Sequence, residues 1–318
     1  MEELLRFEHV SFAYEDGTEQ RLALKDCSVS IGAGERVAVL GSNGAGKSTF
    51  FLLANGVLCP KEGTVFFHGE PVGRKKQELN RLRRGVGLVF QDPDVQILGG
   101  TVEEEISFGP MNLGLSREEV RRRVDGAVER MHLEDLRQRA PQYLSGGEKK
   151  RVSIADALAM EPELLLMDEP AASLDPENCR ILEETLDMLG EQGLALAVAT
   201  HDVDFAWRWA RRILVFRDGC LAADRTPEEI FSDTALLDDC HLARPMLFRA
   251  AEAYEGPGKL TKYLQLDGSC NGKPLCPDTG VWVEDDGLVP ELDTKPRVGI
   301  DYAGPEWAAK PWRFVMRK

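Results

Sequence analysis

Nine residues constrain the fold more than anything else in the chain: Gly41-Ser42-Asn43-Gly44-Ala45-Gly46-Lys47-Ser48-Thr49. They fit G-x-x-x-x-G-K-[ST], the phosphate-binding loop. That loop needs a buried strand before it and a helix after it, and both are legible. Glu35 to Leu40 is apolar and β-rich, and Ser48 to Asn55 reads as a helix. Glycines let the backbone wrap a polyphosphate without Cβ clashes. The loop amides and the positive end of the helix then face the anion. Lys47 is expected to reach the β- and γ-phosphates, and the Ser48 hydroxyl to hold Mg²⁺. The motif implies an α/β architecture and a bound nucleoside triphosphate. It leaves open what the triphosphate drives.

The elements around the loop supply further polar groups. An antiparallel β region precedes it, Leu4 to Tyr14 and Ala23 to Ile31, joined at a hairpin turn marked by Asp16-Gly17. Tyr14 ends the first strand, where an aromatic ring either stacks on adenine or sits at a sheet edge. Gly63 to Gly69 and Gly85 to Phe90 read as strands, the second ending in Gln91. Residues 92–115 surround a short acidic helix, Thr101 to Ser107. Ser116 then caps another helix, with Glu119 placed to complete a capping box and Val120, Val124, Val128 and Met131 forming its apolar stripe. Ser145-Gly146-Gly147-Glu148 opens a helix to about Met160. It is either a plain N-cap or a second anion site.

Two later strand ends carry chemistry. Glu163 to Met167 is a buried strand ending in Asp168-Glu169, a pattern that suits a Mg²⁺ ligand followed by a base for water. Leu194 to Thr200 is another, ending in His201, which stands in sequence where a nucleotide sensor would. A helix from Ser173-Leu174-Asp175-Pro176 to about Gln192 lies between them. Strands at Ile213 to Phe216 and Cys220 to Ala223 close the sheet around Asp218-Gly219, and Pro227 to Phe231 forms a helix.

Composition narrows the setting. The chain has 318 residues and a formal net charge of -15, which disfavours direct binding to a nucleic-acid backbone, so no nucleic-acid partner is expected. No apolar run is long enough to span a bilayer, and no secretory signal opens the chain. Seven cysteines, Cys27, Cys59, Cys179, Cys220, Cys240, Cys270 and Cys276, are odd in number and mostly far apart, which suits reduced thiols in a cytosolic protein. After about Gly256 the texture changes: residues 256–318 balance 9 Lys/Arg against 9 Asp/Glu and hold Trp282, Trp307 and Trp312. This predicts a small, separately ordered accessory over 259–318, without a motif that assigns its role.

Taken in order, Tyr14, Gly41–Thr49, Gln91, Leu144-Ser145-Gly146-Gly147-Glu148, Asp168-Glu169, Ser173-Leu174-Asp175 and His201 resemble the ATP-binding cassette ATPases over residues 1–250. The resemblance implies an antiparallel β region, a RecA-like core and a helical subdomain at about 92–160. It implies that Tyr14 stacks adenine and that Ser42, Asn43, Gly44, Ala45, Gly46, Lys47, Ser48 and Thr49 hold the phosphates of ATP with Gly41. Mg²⁺ would bind Ser48, Asp168 and Gln91, with Gln91 also touching the attacking water. Glu169 would be the general base, and His201 would contact the γ-phosphate. Ser145 and Gly147 would bind ATP held by the opposite subunit, so two copies, or this chain and a paralogue, would close face to face. Glu148 departs from the family's usual Gln, and Asp156 occupies a position that more often carries a small residue; Asp156 is expected to be exposed.

The subfamily is also legible. Phe90-Gln91-Asp92-Pro93-Asp94-Val95-Gln96, Thr101 to Pro110, and Asn112 to Glu119 are similar to the energy-coupling-factor importers of cobalt, nickel or vitamins. Residues 226–246 look closest to the cobalt-type ATPase. The implied setting is peripheral, on the cytoplasmic face of the membrane, against an integral membrane subunit received around residues 95–113. Cassette ATPases of DNA maintenance carry long coiled coils between the phosphate loop and Ser145. Here the interval is about a hundred residues without heptads.

Overall fold

Two sheets enclose the helix that follows the phosphate loop. The computed structural model describes residues 2–16, 19–246, 292–295 and 313–316. The first sheet is antiparallel: β1 (Glu3–Asp16), β2 (Glu19–Gly32), β4 (Glu62–Phe67) and β5 (Glu70–Val72), in the order β2-β1-β4-β5. The second contains β3 (Arg36–Leu40), β6 (Val86–Val89), β7 (Leu164–Asp168), β8 (Ala195–Ala199), β9 (Arg212–Arg217) and β10 (Cys220–Arg225). Its order is β10-β9-β3-β8-β7-β6, and every pairing is parallel except β10 with β9. Parallel strands are covered on both faces and so carry unbroken apolar runs. Val37 to Leu40, Leu164 to Met167 and Ala195 to Ala199 are all buried.

Helix α1 (Lys47–Ala54) lies in the apolar layer between the sheets. The Phe50 ring is 4.8 Å from Phe7 of β1 and 5.2 Å from Phe216 of β9, centroid to centroid. Burying each such phenyl ring contributes about 1.5–3 kcal/mol. The same packing fixes the helix whose first turn faces the phosphate site.

Helices α3 (Pro93–Gln96), α4 (Val102–Asn112), α5 (Arg117–Arg130) and α6 (Gly146–Ala159) follow β6, with α4, α5 and α6 packing on one another. Four others complete the first 245 residues after β7: α7 (Pro176–Glu191), α8 (Val203–Trp209), α9 (Pro227–Ser232) and α10 (Thr234–Cys240). Residues 1–245 form one compact unit. Of the second, residues 246–318, the structure describes mainly an antiparallel pair, Leu292–Lys295 with Arg313–Met316. The rest of the expected accessory, including Cys270, Cys276 and the three tryptophans, lies outside the described residues.

Three local expectations are corrected. The acidic helix extends beyond Ser107 to Asn112 and includes Pro110, which lacks the N–H that would otherwise bond the Ile106 carbonyl. Gly109 lets that turn approach α6, since a Cβ there would fall 2.6 Å from Met160 Sδ. At α5 only half of the capping box forms: Ser116 Oγ accepts from Glu119 N at 3.2 Å. The Glu119 carboxylate is drawn instead to Arg122 and Arg123, at 2.6 and 2.8 Å. An additional helix, α2 (Lys76–Gly85), is held to the core mainly by buried Leu82; its sequence is too polar to show an apolar stripe.

The third correction is Asp156, which is not exposed. It sits on α6 with Gln96 Nε2 donating to its Oδ2 at 3.2 Å. Burial, the leading cause, pushes its carboxyl from 3.8 up to about 6. Its folded pKa therefore exceeds its unfolded one. The support it gives the fold is complete below the unfolded value and lost as pH rises through about 6. Asp156→Asn keeps the acceptor for Gln96 and removes the buried charge. It is expected to stabilise the fold at pH 8 by on the order of 1–2 kcal/mol, seen as a higher Tm, and to lose that advantage near pH 4. Thermal unfolding at both pH values tests this; the same difference at each would rule out the charge as its origin.

Candidate functional site

Brought together at the C-terminal edge of the parallel strands are the ends of β3, β6, β7 and β8, the edge at which open α/β sheets bind ligands. The phosphate loop leaves β3. Its backbone requires glycine at two positions in particular. Gly41 has φ 149°, and a Cβ there would lie 2.4 Å from Phe216 O; Gly46 has φ 112°, and a Cβ would lie 2.7 Å from Ala23 O. The Lys47 side chain is buried, and its Nζ donates to Gly41 O at 2.7 Å. It stands 4.0 Å from Glu169 Oε1.

Glu169 follows β7 directly, its N–H donating to Ala199 O at 2.9 Å. Its φ of 44° is left-handed, a conformation that costs a non-glycine residue on the order of 1–3 kcal/mol and concentrates at functional sites. That turn aims the carboxylate across the sheet edge. His201 Nδ1 lies 2.8 Å from Glu169 Oε2, so the imidazole orients the carboxylate.

A cleft of about 540 Å³ is lined by Tyr14, the loop from Ser42 to Thr49, Gln91, Asp168 and Glu169. Adjoining it, a second cleft is lined by Gly41, Ser42, Asn43, Gln91, Glu169 and His201. The cleft therefore gathers the Ser48 hydroxyl, the Gln91 amide and the Asp168 carboxylate, oxygen donors of the kind that suit Mg²⁺. Tyr14, half-exposed, has its hydroxyl 3.3 Å from Thr49 Oγ1 and its ring edge-on to Phe12. That leaves a ring at the mouth of the cleft.

Ser145 and Gly147 line neither cleft. Ser145 is exposed at the N-terminus of α6 and caps it reciprocally: its Oγ accepts from Glu148 N at 3.3 Å, and Ser145 N donates to Glu148 Oε2 at 2.7 Å. Glu148, the departure from the usual Gln, is thus a capping residue, and these bonds hold its carboxyl below the usual range. Gly147 is buried against α7, where a Cβ would meet Asn178 Oδ1 at 2.1 Å.

Lys25 and Asp218 also line the larger cleft. In sequence Asp218-Gly219 stands only between the two strands that close the sheet, and Lys25 lies within the strand Ala23 to Ile31. They approach because Lys25 N donates to Gly219 O at 2.8 Å and Gly219 N to Ala45 O at 3.0 Å, stitching that hairpin to the loop. No local sequence signal marks such a non-local contact.

A phosphate loop, a strand-end carboxylate and its histidine, set at one edge of a parallel sheet, define a phosphate-loop ATPase. A family model for ABC transporters matches residues 24–172. The chain is 44% identical over 242 residues to the energy-coupling factor transporter ATP-binding protein EcfA of Methanothermobacter thermautotrophicus, covering 76% of this chain and 77% of that protein. Against EcfA2 of Methanospirillum hungatei it is 42% identical over 261 residues, which is 82% of this chain and 65% of that longer protein. It is similar to solved cbiO1 of Clostridium perfringens, part of the ABC transporter complex cbiONQ, with TM-score 0.66 and 36% identity over 79% of this chain and all of that one. A dimeric ATP-binding cassette, MJ0796 bound to ADP and Pi, matches with TM-score 0.64 and 31% identity, over 70% of this chain and 99% of that one.

The chain belongs to the ABC transporter ATP-binding proteins, and its relatives include energy-coupling factor ATPases. A second family model, methylpurine-DNA glycosylase, matches residues 234–318. The first twelve residues of that stretch are packed on the ATPase: α10 contacts β9, with Leu237 and Cys240 buried.

Proposed function

We propose that this chain is the ATP-hydrolysing subunit of an energy-coupling-factor-type importer, peripheral on the cytoplasmic face of the membrane, with cobalt or another transition-metal ion as cargo. The roles follow the geometry. The loop and Lys47 hold the phosphates of ATP, and Tyr14 stacks on adenine. Ser48, Asp168 and Gln91 would hold Mg²⁺, which when bound would supply positive charge beside the phosphates. Glu169 accepts the proton of that water, and His201 contacts the γ-phosphate. Ser145 and Gly147 complete the site of a second cassette, a copy or a paralogue, that closes face to face with this one. The cobalt assignment rests on the similarity of residues 226–246 to cobalt-type ATPases, and a vitamin importer is the nearest alternative.

The observation that carries the transport reading is an apolar surface next to Gln91. Val95, Leu98, Phe108 and Met111 are 62–82% exposed, a costly display unless another apolar surface covers it. A helix of a membrane subunit is the occupant we infer. Ile97, nearer the centre of this run, is half-buried and a poorer probe. Leu98→Arg is therefore expected to reduce co-purification with the membrane subunit by at least about tenfold, while leaving ATP binding within about twofold. Undiminished co-purification would remove this surface from the interface.

For the segment after Pro245 we propose a separable accessory. Its likeness to the methylpurine-DNA glycosylase model favours a DNA-directed role for that segment alone. A chain ending at Pro245 is expected to fold and hydrolyse ATP at the full chain's rate, and to lose any retention of duplex DNA containing alkylated purines. Turnover and fluorescence-anisotropy titrations of both chains test this. An insoluble truncated chain would assign the segment to the ATPase fold, and equal DNA binding by both chains would exclude a DNA role for it.

A further inference from the structure

Two side chains bond the backbone at the root of Gln91, and both tie it to α6. Lys150, on the second turn of α6, is 2% exposed, and its Nζ donates to Phe90 O at 3.0 Å and to Gln91 O at 2.7 Å. Gln96 works from the other side. Its Oε1 accepts from Phe90 N at 3.2 Å, while its Nε2 donates to Ser153 O at 3.0 Å and Asp156 Oδ2 at 3.2 Å. A third, surface tie runs from Lys149 Nζ to Asp94 Oδ1 at 2.6 Å. A lysine is rarely buried unless its ammonium is hydrogen-bonded, and this one spends two bonds on consecutive carbonyls of a single loop.

The helix at the other end of these bonds is the one whose N-terminus carries Ser145 and Gly147. A shift of α6 must therefore move the Phe90-Gln91 peptide with it, because releasing the peptide would strand a buried ammonium and two carbonyls without partners. We propose that Lys150 and Gln96 form a latch that transmits engagement of α6 by the opposite subunit's ATP to the position of Gln91 in this subunit's own site, so that each bound ATP primes the other for hydrolysis. Both are positioning residues: neither lines the nucleotide cleft. The inference rests on the face-to-face dimer proposed above.

The latch predicts a split between binding and turnover. Lys150→Met preserves the length of the stem and removes the donors; Gln96→Leu cuts the second tie from the loop side. Each is expected to lower kcat on the order of 10–100-fold, the range seen when a supporting partner of a site ligand is lost. Affinity for ATP, read with a fluorescent analogue, should stay within about threefold, because Lys47 and the loop amides are untouched. The Hill coefficient of ATP hydrolysis should fall toward one, and Lys150→Arg, which restores donors, should recover part of both turnover and cooperativity. A fold that only lost packing would show neither the cooperativity change nor the rescue.

Circular dichroism accompanies each variant, and Gln96→Leu carries the test if Lys150→Met does not fold. Parental turnover and cooperativity in the folded variants would overturn the latch. The dimer is scored separately, by gel filtration with Mg-ATP of Glu169→Gln alone and combined with each latch variant. Dimers in all of them, with turnover lost in the latch variants on the parental background, support the latch. A monomeric Glu169→Gln chain would refute the dimer and the inter-site role together.

Discussion

Glu169→Gln is expected to abolish most turnover while trapping the chain as an ATP-bound dimer. Glu169 lies at the end of a buried strand, one residue after Asp168, in a left-handed turn that directs its carboxylate into the cleft shared with the phosphate loop. Lys47 is 4.0 Å from one carboxylate oxygen and His201 is 2.8 Å from the other. A carboxylate hydrogen-bonded to His201 through one oxygen, with the Lys47 ammonium facing the other, is placed to accept a proton without searching for its orientation. Glutamine keeps the size and an oxygen for His201, and removes both the charge facing Lys47 and the basicity. Loss of a general base costs about 10²–10⁴-fold in rate. Binding should persist, since Lys47, Ser48 and the loop amides supply it. The chain that binds and cannot hydrolyse should elute as a dimer with Mg-ATP and as a monomer without it. Near-parental phosphate release would remove Glu169 from the role and leave His201 or the γ-phosphate as proton acceptor.

Ser145→Arg is the second large effect, and its cause lies in the other subunit. Ser145 is exposed at the start of a 14-residue helix and takes no part in the cleft of its own chain. Its hydroxyl, donating its O–H, and the first amides of α6 can stabilise negative charge on an incoming γ-phosphate. An arginine there removes the hydroxyl and places a bulky side chain on the closing surface. Losing one preorganised donor of this kind costs about 10²–10³-fold in turnover. Losing the N-cap costs the helix about 1 kcal/mol, small beside the stability of the domain. ATP should still bind the variant's own loop within about threefold. Isothermal titration and phosphate release separate the two; parallel loss of binding and turnover would show that Ser145 serves its own site.

The lining of the cleft was largely legible in the sequence because its residues stand at strand ends, where residue type and order carry the information. Gly41 to Thr49, Gln91, Asp168, Glu169 and His201 each follow a recognisable apolar run, and the parallel sheet brings those ends to one edge. What escaped notice depends on contacts between distant segments. Lys25 and Asp218 reach the cleft through a hairpin hydrogen-bonded to the loop. Lys150 stands in the run Lys149-Lys150-Arg151 of α6, yet it is buried against the carbonyls of residues 90 and 91. Asp156 was misplaced for the same reason, since only packing of α6 on Gln96 hides it. Helix α2 lacked an apolar period because Leu79 and Leu82 are its only large apolar residues.

Mixing two inactive variants tests the composite site most directly. Ser145→Arg retains a complete phosphate loop and base; Glu169→Gln retains a complete α6 terminus. Mixed before nucleotide is added, they can form a heterodimer in which one site has both halves intact. If each site is built from two chains, an equal mixture should regain at most roughly a quarter of parental phosphate release, since about half the dimers are mixed and each holds one complete site, and less where the altered α6 of the same chain leaves that site unprimed. Recovery should appear only when both variants are present. A mixture that stays at the sum of its two separate rates would contradict face-to-face assembly and return the whole site to a single chain.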